Sequence, residues 1–334
     1  MSRDARIMTG VVQHEYGSDP GAVLRIGEVP VPAVGAQDVL VRVRAASVDR
    51  GTWHAMAGLP YPIRLAGFGV RRPKATNPGR SLAGIVESVG GAVTDLEPGE
   101  EVYGTGESVF AEFARARVGR LARKPDPLTF EEAAAVPVSG LTALQAVRDR
   151  ARIQPGQSLL ILGASGGVGT FAVQIAKAFG AQVTGVASTA NLDLVRDLGA
   201  DLVLDYTRTD VVEGRVRYDA ILDIGGNRRL SQLRRALARR GRLIIVGGEA
   251  PGRWLGGTDR QVRALLLSPF VSQSLGTFVA SENAVDLSTL RELIESGKVR
   301  PVVDRIYPLA DTPAAIERLL QGRVRGKIVI ATGA

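Results

Sequence analysis

The chain has 334 residues, of which 45% are hydrophobic and 23% are charged, and its formal net charge is +8. This length allows two domains of ordinary size, and the composition excludes a disordered, collagen-like or coiled-coil protein. The sequence contains no cysteine, which excludes disulfides, thiolate zinc sites, iron–sulfur clusters and a cysteine nucleophile. It contains only two histidines.

Neither a membrane span nor a secretory signal is expected. No apolar run approaches the roughly 18–20 residues that cross a bilayer, and the first residues lack the apolar core of a signal peptide. We therefore expect a soluble, cytoplasmic protein that has no membrane partner.

The first 130 residues are predicted to form a mostly β domain. Segments 39–45 and 84–89 alternate apolar and polar residues as half-buried strands do, and prolines and glycines separate the segments. This pattern is typical of a barrel-like domain.

From 131 to 280, short apolar strands alternate with amphipathic helices, which is typical of βαβ units and a parallel sheet. The predicted strands are Ser158–Leu162, Gln182–Ala187, Leu202–Leu204, Ala220–Ile224, Leu243–Val246 and Gly276–Ala280. Six such strands complete a dinucleotide-binding sheet. The tail is predicted to contain helices at 287–296 and 312–320 and strands at 302–307 and 327–330, and because it is β-rich again, we expect it to complete the first domain.

The strongest functional signal is the glycine-rich segment after the strand predicted at 158–162. Its spacing is Gly163-x-x-Gly166-x-x-Gly169, and apolar residues recur at helical spacing directly after it. A strand, a glycine loop and a helix in this order present free backbone N–H groups to a pyrophosphate. The segment therefore predicts a dinucleotide-binding loop.

The end of the second strand of this series bears on which dinucleotide is bound. An NAD site usually carries Asp or Glu about 20 residues after the glycines, where the carboxylate binds the ribose 2′-hydroxyl. Here 187–191 contains no carboxylate, and the hydroxyls of Ser188 and Thr189 can donate to a 2′-phosphate. We therefore expect NADPH, with NADH as the alternative, and Arg196 and Arg208 are nearby candidates for supplying positive charge.

The positive charge of the chain comes from 37 arginines and only 5 lysines, which are spread along the sequence. The densest cluster is 228–242, where Leu230, Leu233 and Leu237 recur at helical spacing between arginines. The pattern predicts a helix whose arginines face solvent, and the alternative is a face that binds a polyanion such as nucleic acid.

Four segments together resemble the medium-chain dehydrogenase/reductase superfamily, in particular its zinc-independent quinone oxidoreductases. They are 97–104 (Glu-Pro-Gly-Glu-Glu-Val-Tyr-Gly), 139–143 (Ser-Gly-Leu-Thr-Ala), 163–169 and 326–329 (Gly-Lys-Ile-Val). The resemblance covers essentially the whole chain and implies an α/β fold. It implies a GroES-like β-barrel domain at 1–130, completed by 281–334, and a Rossmann domain with a doubly wound parallel sheet at 131–280. It also implies a homodimer formed by edge pairing of two cofactor sheets.

The resemblance further implies which residues form the cofactor site. The glycine loop would hold the pyrophosphate, and the other residues would lie near the nicotinamide or the adenosine 2′-phosphate. These residues are Thr142, Gly163, Gly166, Gly167, Val168, Gly169, Ser188, Thr189, Tyr206, Gly225, Gly247, Gly248, Phe278, Val279 and Lys327.

The metal-dependent members of the superfamily differ from this chain at their ligand positions. Their catalytic cysteine falls near Asp49 and their Gly-His-Glu motif falls near 79–81, so the resemblance implies no zinc site here. Zinc-independent relatives usually carry Asn at the position of Asp49 and Asp at that of Thr52, and both are changed in this chain.

The chemistry that remains is hydride transfer to a conjugated acceptor. Without a metal to stabilise an alkoxide, a quinone or enone is the easier substrate, because its negative charge delocalises as hydride arrives. Such an acceptor still needs a proton, and the catalytic candidates are Asp49, His54 and Tyr61.

We therefore predict a zinc-independent, NADPH-dependent reductase of quinones or α,β-unsaturated carbonyls that acts on a small molecule. One alternative is an enoyl or enone reductase of a single biosynthetic pathway. The other is a non-catalytic NADPH-binding protein with a nucleic-acid or regulatory role, which the net charge and the changed Asp49 and Thr52 suggest.

Overall fold

The computed structural model describes residues 6–210, 216–226, 228–247, 252, 254 and 256–333. The strands are β1 (Ile7–Gln13), β2 (Leu24–Pro30), β3 (Asp38–Val48), β4 (Ser81–Val89), β5 (Glu101–Thr105), β6 (Phe113–Arg117), β7 (Leu121–Arg123), β8 (Ser158–Leu162), β9 (Gln182–Ala187), β10 (Leu202–Asp205), β11 (Tyr218–Asp223), β12 (Leu237–Ile245), β13 (Ser274–Thr277), β14 (Val303–Pro308) and β15 (Lys327–Ala331). The α-helices are α1 (Pro20–Val23), α2 (Arg50–Ala57), α3 (Phe130–Ala134), α4 (Pro137–Gln145), α5 (Gly167–Ala178), α6 (Leu192–Asp197), α7 (Leu230–Ala236), α8 (Thr258–Leu267), α9 (Ala284–Glu295) and α10 (Thr312–Leu320).

The first compact unit comprises 1–138, 282–295 and 301–334. Its main sheet has the order β14-β15-β3-β4-β5-β7, and β6 pairs with β3. The pairs are antiparallel except for β14–β15, which is parallel. β3 lies in the middle because its alternating residues Val39, Val41 and Val43 are fully buried in the core. The first unit is therefore mostly β, and the late strands β14 and β15 are part of its main sheet.

The first unit continues beyond residue 130, the limit predicted from the sequence. Helix α3 packs on β3 and β4, and the Phe130 ring lies 5.2 Å from the Arg44 guanidinium carbon and 5.6 Å from Lys124 Nζ. These contacts attach the helix to the β sheet. The first unit therefore includes α3, and its first segment extends to Val138.

The second unit comprises 139–281 and 296–300. Its six strands have the order β10-β9-β8-β11-β12-β13, and every pair is parallel. The central strand β8 is an apolar run whose Leu159, Leu160 and Ile161 are fully buried, as expected of a parallel strand in the interior of a sheet. This order is that of the Rossmann sheet, and the predicted α/β fold is confirmed.

The helix predicted across 228–242 is wrong in its second half. Helix α7 ends at Ala236, and Leu237 begins β12 with a backbone pairing to Tyr218 of β11. The exposed Arg239 and Arg240 therefore lie on a strand and not on a helix face. Pairing within the sheet has overridden the helical spacing of the leucines.

Candidate functional site

The carboxyl ends of the parallel strands share one edge of the sheet in the second unit. The chain order reverses between β8 and β11, the two central neighbours, and such a switch point is where ligands bind in open parallel sheets. At this point the loops after β8 and β11 approach closely, because a Cβ placed on Gly163 would lie 3.1 Å from the Gly225 nitrogen. The predicted glycine loop therefore lies at the switch point.

The conformation of the glycine loop requires glycine at two of its positions. Gly163 has φ +86°, the left-handed region that favours glycine. A Cβ on Gly169 would lie 2.1 Å from the Gly163 carbonyl oxygen, so only glycine fits there. Gly166 differs, since its Cβ would meet only the Gly163 oxygen at an ordinary 3.6 Å.

The loop leads into the uncapped N-terminus of α5. Gly166 is the N-cap residue, and no side chain accepts a hydrogen bond from the first turn. The N–H groups of Gly167, Val168 and Gly169 have no carbonyl four residues earlier within the helix, so they are available to an anion, which the helix dipole also favours. The residues present thus fit a dinucleotide pyrophosphate.

The adenosine end of the predicted site contains a carboxylate that the sequence window did not include. Asp205, the last residue of β10, pairs with Ala187 of β9, and its Oδ2 accepts a 2.5 Å hydrogen bond from the Thr189 hydroxyl. The Thr207 hydroxyl donates to Oδ1 at 2.7 Å. Hydrogen bonding, first from Thr189, holds the pKa of Asp205 below its usual value, so the carboxylate is charged at neutral pH.

A negative charge that repels a 2′-phosphate therefore lies beside the end of the second strand of the series, although 187–191 contains no carboxylate. The carboxylate comes from the third strand of the sheet series, 18 residues after Ala187, and it engages one of the two hydroxyls assigned to the phosphate. Arg208 lies close by, with its Nε 3.6 Å from Asp205 Oδ2, while Tyr206 is 55% exposed. Ser188 accepts a 3.2 Å hydrogen bond from Asn191.

A buried ion pair holds the segment after β11, and the sequence did not predict it. The carboxylate of Asp223, whose side chain is 1% exposed, pairs with the Arg260 guanidinium of α8. Arg260 also donates to the carbonyl oxygens of Gly226 at 2.5 Å and Arg228 at 2.8 Å. Burial raises the pKa of Asp223, and Arg260 opposes that shift. Arg260 lies 37 residues from Asp223, so no local motif signals the pair.

The remaining cofactor candidates of this unit are distributed along the same edge. Gly225 follows β11, Gly247 follows β12, and Phe278 and Val279 follow β13. A Cβ on Gly247 would lie 2.3 Å from the Ile224 oxygen, so this loop also requires glycine. Gly248 lies outside the described residues.

Phe278 and Val279 differ in their surroundings. The Phe278 ring lies 5.2 Å from the Arg150 guanidinium carbon, whereas Val279 is 93% exposed. Thr142 is half-buried on α4.

In the first unit, Asp49 is the N-cap residue of α2. Its Oδ1 accepts from the Thr52 N–H at 3.0 Å, and the Thr52 hydroxyl accepts from the Asp49 N–H at 3.4 Å. The second oxygen, Oδ2, is buried without a hydrogen-bond partner. The two residues that differ from zinc-independent relatives thus form a capping box, which accounts for the presence of Asp and Thr together.

The other two catalytic candidates of this unit have distinct partners. His54 Nδ1 lies 2.7 Å from the Leu59 carbonyl oxygen, and because a carbonyl only accepts, Nδ1 carries the proton. Neutral His54 then has no proton on Nε2. The Tyr61 ring lies 4.9 Å from the Arg64 guanidinium carbon.

Lys327 is buried beside the end of β3, where Asp49 is its charged neighbour. Its Nζ donates to the Val48 carbonyl at 3.0 Å, and burial lowers its pKa while Asp49 opposes the shift. Within the described part of this unit, the buried side-chain atoms without a partner are Ser47 Oγ, Asp49 Oδ2, Trp53 Nε1 and Ser81 Oγ.

Ser47 and Asp49 lie at the carboxyl end of β3. Ser47 lies opposite Ser81 in the β3–β4 register, and Val48 lies opposite Ile328 of β15. Buried polar atoms without a partner cost about 1–3 kcal/mol each, so the group fits a bound water or a ligand oxygen. The sequence identified Asp49 and Lys327 but missed Ser47, although Ser81 lies in the 79–81 motif position.

The lowered pKa of Lys327 predicts a pH dependence of stability. The folded protein releases this proton at lower pH than the unfolded chain does, so the unfolded state binds more protons in the alkaline range. The free energy of unfolding contributed by this group therefore rises with pH, from the lowered folded pKa towards the ordinary value. Urea denaturation of the wild type and Lys327→Met between pH 7.5 and 10 measures the difference.

Lys298→Met, on an exposed lysine, is the matched control. We expect the stability difference between wild type and Lys327→Met to increase with pH and that for Lys298→Met to stay constant. A difference for Lys327→Met that stays flat or falls with pH would show that burial does not favour the neutral amine.

The positions that carry zinc in metal-dependent relatives do not fit the metal here. Asp49 caps α2 through one oxygen, and Arg80 donates to Glu282 at 2.5 Å. Within the described residues, no group of three or more His, Asp or Glu side chains could hold a metal ion. Nor is any helix of the described chain both long and apolar enough to cross a membrane.

Comparisons with known proteins agree with this architecture. Residues 35–144 match the family model described as "Alcohol dehydrogenase GroES-like domain", and 198–330 match "Zinc-binding dehydrogenase". The 2-methylene-furan-3-one reductase of Solanum lycopersicum is 32% identical over 95% of this chain and 77% of its own length. The NADPH-dependent alkenal/one oxidoreductase of Arabidopsis thaliana is 31% identical over 97% of this chain and 79% of its own.

A solved structure also resembles the chain along its length. The quinone oxidoreductase from Coxiella burnetii superposes with a TM-score of 0.86 at 26% identity, and the match covers 98% of this chain and 100% of that one.

Proposed function

The chain belongs to the medium-chain dehydrogenase/reductase superfamily, in its quinone oxidoreductase-like branch, and on this premise we propose that it is an NADPH-dependent reductase of quinones or α,β-unsaturated carbonyls. The observation that carries the proposal is the glycine loop, which fits a pyrophosphate at the switch point of a Rossmann sheet. The names of the relatives, which include an enone reductase and a quinone oxidoreductase, support the substrate class.

The loop residues hold the cofactor in this proposal. The N–H groups of Gly167, Val168 and Gly169 bind the pyrophosphate. Gly225 and Gly247 have no side chain, so a ligand can approach the backbone of the loops after β11 and β12. Thr142, Phe278 and Val279 orient the nicotinamide. When bound, the reduced nicotinamide supplies a hydride to the acceptor.

Tyr61 is the proton donor that we assign, because a phenolic hydroxyl can donate a proton. In neutral His54, the Nδ1 proton is directed at the Leu59 carbonyl. Asp49 and Lys327 lie in the buried polar group around the end of β3, where Asp49 caps α2 and Lys327 Nζ donates to the Val48 carbonyl. We propose that this chemistry needs no zinc.

NADPH is the proposed cofactor, and NADH is accepted as well. Ser188, Tyr206 and Arg208 are available to the 2′-phosphate, while the Asp205 carboxylate opposes it and favours a free 2′-hydroxyl. The balance of these charges makes the preference for NADPH moderate.

Asp205→Asn is expected to increase the preference for NADPH over NADH about fivefold. The substitution removes one negative charge that repels the 2′-phosphate, and this repulsion is weakened by solvent. The ratio of the two dissociation constants, measured by calorimetry, tests this. Asp193→Asn, on a carboxylate whose side chain is 89% exposed, is the control and should leave the ratio unchanged. An Asp205→Asn ratio equal to that of the wild type would remove Asp205 from cofactor selection.

An acceptor screen tests the proposed reaction. Consumption of NADPH should depend on an added quinone or enone and should be insensitive to prior chelation of metals. Turnover of one enoyl substrate without any quinone would select the reductase of a single pathway. Failure of all acceptors, with salt-dependent binding of RNA or DNA, would favour the non-catalytic alternative.

We also propose a cytoplasmic homodimer. β13 is at the edge of the six-stranded sheet, and the adjacent α8 exposes Leu265 and Leu266 by 50% and 67%. Pairing two such edges would extend the sheet and cover these leucines, and light scattering in solution measures the resulting mass.

A further inference from the structure

The first unit contains a basic cavity that the proposed reduction does not explain. Its volume is about 680 Å³, and its lining includes Arg64, Arg72, Lys74 and His14. Among the described residues, no carboxylate lines the cavity. We call it the basic pocket. A cavity of this size accommodates a small organic molecule.

Arg64 is held in place before any ligand binds. Its Nε donates to the Gly58 carbonyl at 2.9 Å, and its guanidinium carbon lies 4.3 Å from the Tyr16 ring and 4.9 Å from the Tyr61 ring. The Tyr16 hydroxyl lies 2.7 Å from the carbonyl oxygen of Phe68. The position of this guanidinium is thus set by neutral groups, which leaves its charge uncompensated.

The turn that carries the other two cations is also fixed. Gly69 has φ +105°, and a Cβ there would lie 2.3 Å from the Arg72 carbonyl oxygen, so the turn requires glycine. The Lys74 N–H closes it by donating to the Phe68 carbonyl at 2.8 Å. In the described part of the chain, no carboxylate lies within 4.0 Å of a charged nitrogen of Arg64, Arg72 or Lys74, although many other arginines of this protein are paired.

We propose that the basic pocket binds a small molecule through a phosphate or diphosphate group. Three positive charges exceed what a single carboxylate neutralises, whereas a phosphate ester carries about −1.5 to −2 charges at neutral pH and a diphosphate carries more. The planar guanidinium of Arg64 binds two phosphate oxygens at once, and Lys74 adds a point charge. The cavity is larger than an inorganic phosphate, so the remainder accepts the organic part of the molecule.

Calorimetric titration of the full chain with inorganic pyrophosphate tests the site. We expect binding that Arg72→Glu/Lys74→Glu weakens at least about tenfold, because removing even one hydrogen bond between charged groups weakens binding by that factor or more. The two residues are exposed, so the fold tolerates the change. Arg71→Glu is the matched control, since Arg71 is exposed on the same turn but does not line the pocket, and it should change the affinity less than twofold.

The glycine loop is the other place where pyrophosphate can bind, so the titration is repeated with saturating NADP⁺. Binding that persists with NADP⁺ and is lost in Arg72→Glu/Lys74→Glu supports the basic pocket. Three outcomes overturn it: no binding by the wild type at millimolar pyrophosphate, equal weakening in Arg71→Glu, or complete displacement by NADP⁺. If NADP⁺ does not bind at all, the proposed function fails while the comparison of variants still decides the pocket.

Kinetic measurements distinguish a phosphate carried by the substrate from a phosphate carried by a separate effector. This experiment rests on the proposed function. If the substrate carries the phosphate, Arg72→Glu/Lys74→Glu raises KM for a phosphate-bearing enone but not for its neutral analogue. If the phosphate belongs to a separate effector, pyrophosphate changes the turnover of the neutral enone in the wild type and not in the double variant.

Discussion

Gly169→Ala is expected to weaken NADPH binding at least about a hundredfold, which corresponds to about 2.7 kcal/mol. The added Cβ would lie 2.1 Å from the Gly163 carbonyl oxygen and 2.8 Å from backbone atoms of Ala164. Both neighbours are backbone, so the loop itself must move, and the N–H groups that we assign to the pyrophosphate move with it. Fluorescence titration with NADPH measures the loss.

Gly166→Ala is the informative companion variant. Gly166 has φ −83°, and its Cβ would make only ordinary contact with the protein, so the empty loop accepts alanine. Any loss of affinity in this variant reports the approach of a ligand to the N-cap of α5. Thermal unfolding separates binding from folding. Wild-type NADPH affinity in a folded Gly169→Ala protein would contradict the assignment of the loop.

Arg260→Ala is expected to lower the free energy of unfolding by about 3–5 kcal/mol, as found when one partner of a buried ion pair is removed. The Asp223 side chain is 1% exposed and would remain buried without its counterion. The carbonyls of Gly226 and Arg228 would also lose their donors.

The pH dependence of this loss has a definite sign. Burial already raises the pKa of Asp223, and without Arg260 the pKa rises further. A carboxyl whose folded pKa is raised destabilises the folded state as pH rises from the ordinary pKa to the raised one, so the loss in Arg260→Ala should be larger at pH 8 than at pH 5.

Arg263→Ala is the matched control on the same helix. The Arg263 side chain is 72% exposed and lies 3.3 Å from Asp259 one turn earlier. Exposed pairs of this kind contribute about 0–1 kcal/mol. Equal losses for Arg260→Ala and Arg263→Ala in urea denaturation would show that burial does not make the Asp223 pair important.

Much of the fold could be predicted because local patterns agree with tertiary structure. The apolar run 158–162 is buried in the middle of the parallel sheet, and the glycine loop and α5 follow it at the predicted positions. The leucines of 228–242 show the opposite case. Their helical spacing competes with pairing of Leu237 to β11, and burial in the sheet prevails.

The site was predicted less completely because its charges come from distant segments. Asp205 reaches Thr189 only through the pairing of β9 and β10, and Arg260 reaches Asp223 from α8. The basic pocket gathers His14 with the turn that carries Arg72. A single sequence shows spacing along the chain, whereas these groups are brought together by packing of distant segments.

Transfer of reducing equivalents from NADPH to a conjugated acceptor is the central claim. The most direct measurement is a single-turnover reaction in which chelator-treated protein with bound NADPH is mixed with a quinone or an enone while NADPH absorbance is recorded. We predict rapid loss of absorbance in the wild type, with matching formation of reduced acceptor, and none in Gly169→Ala. Unchanged absorbance with bound NADPH and every acceptor, or activity restored only by added zinc, would contradict it.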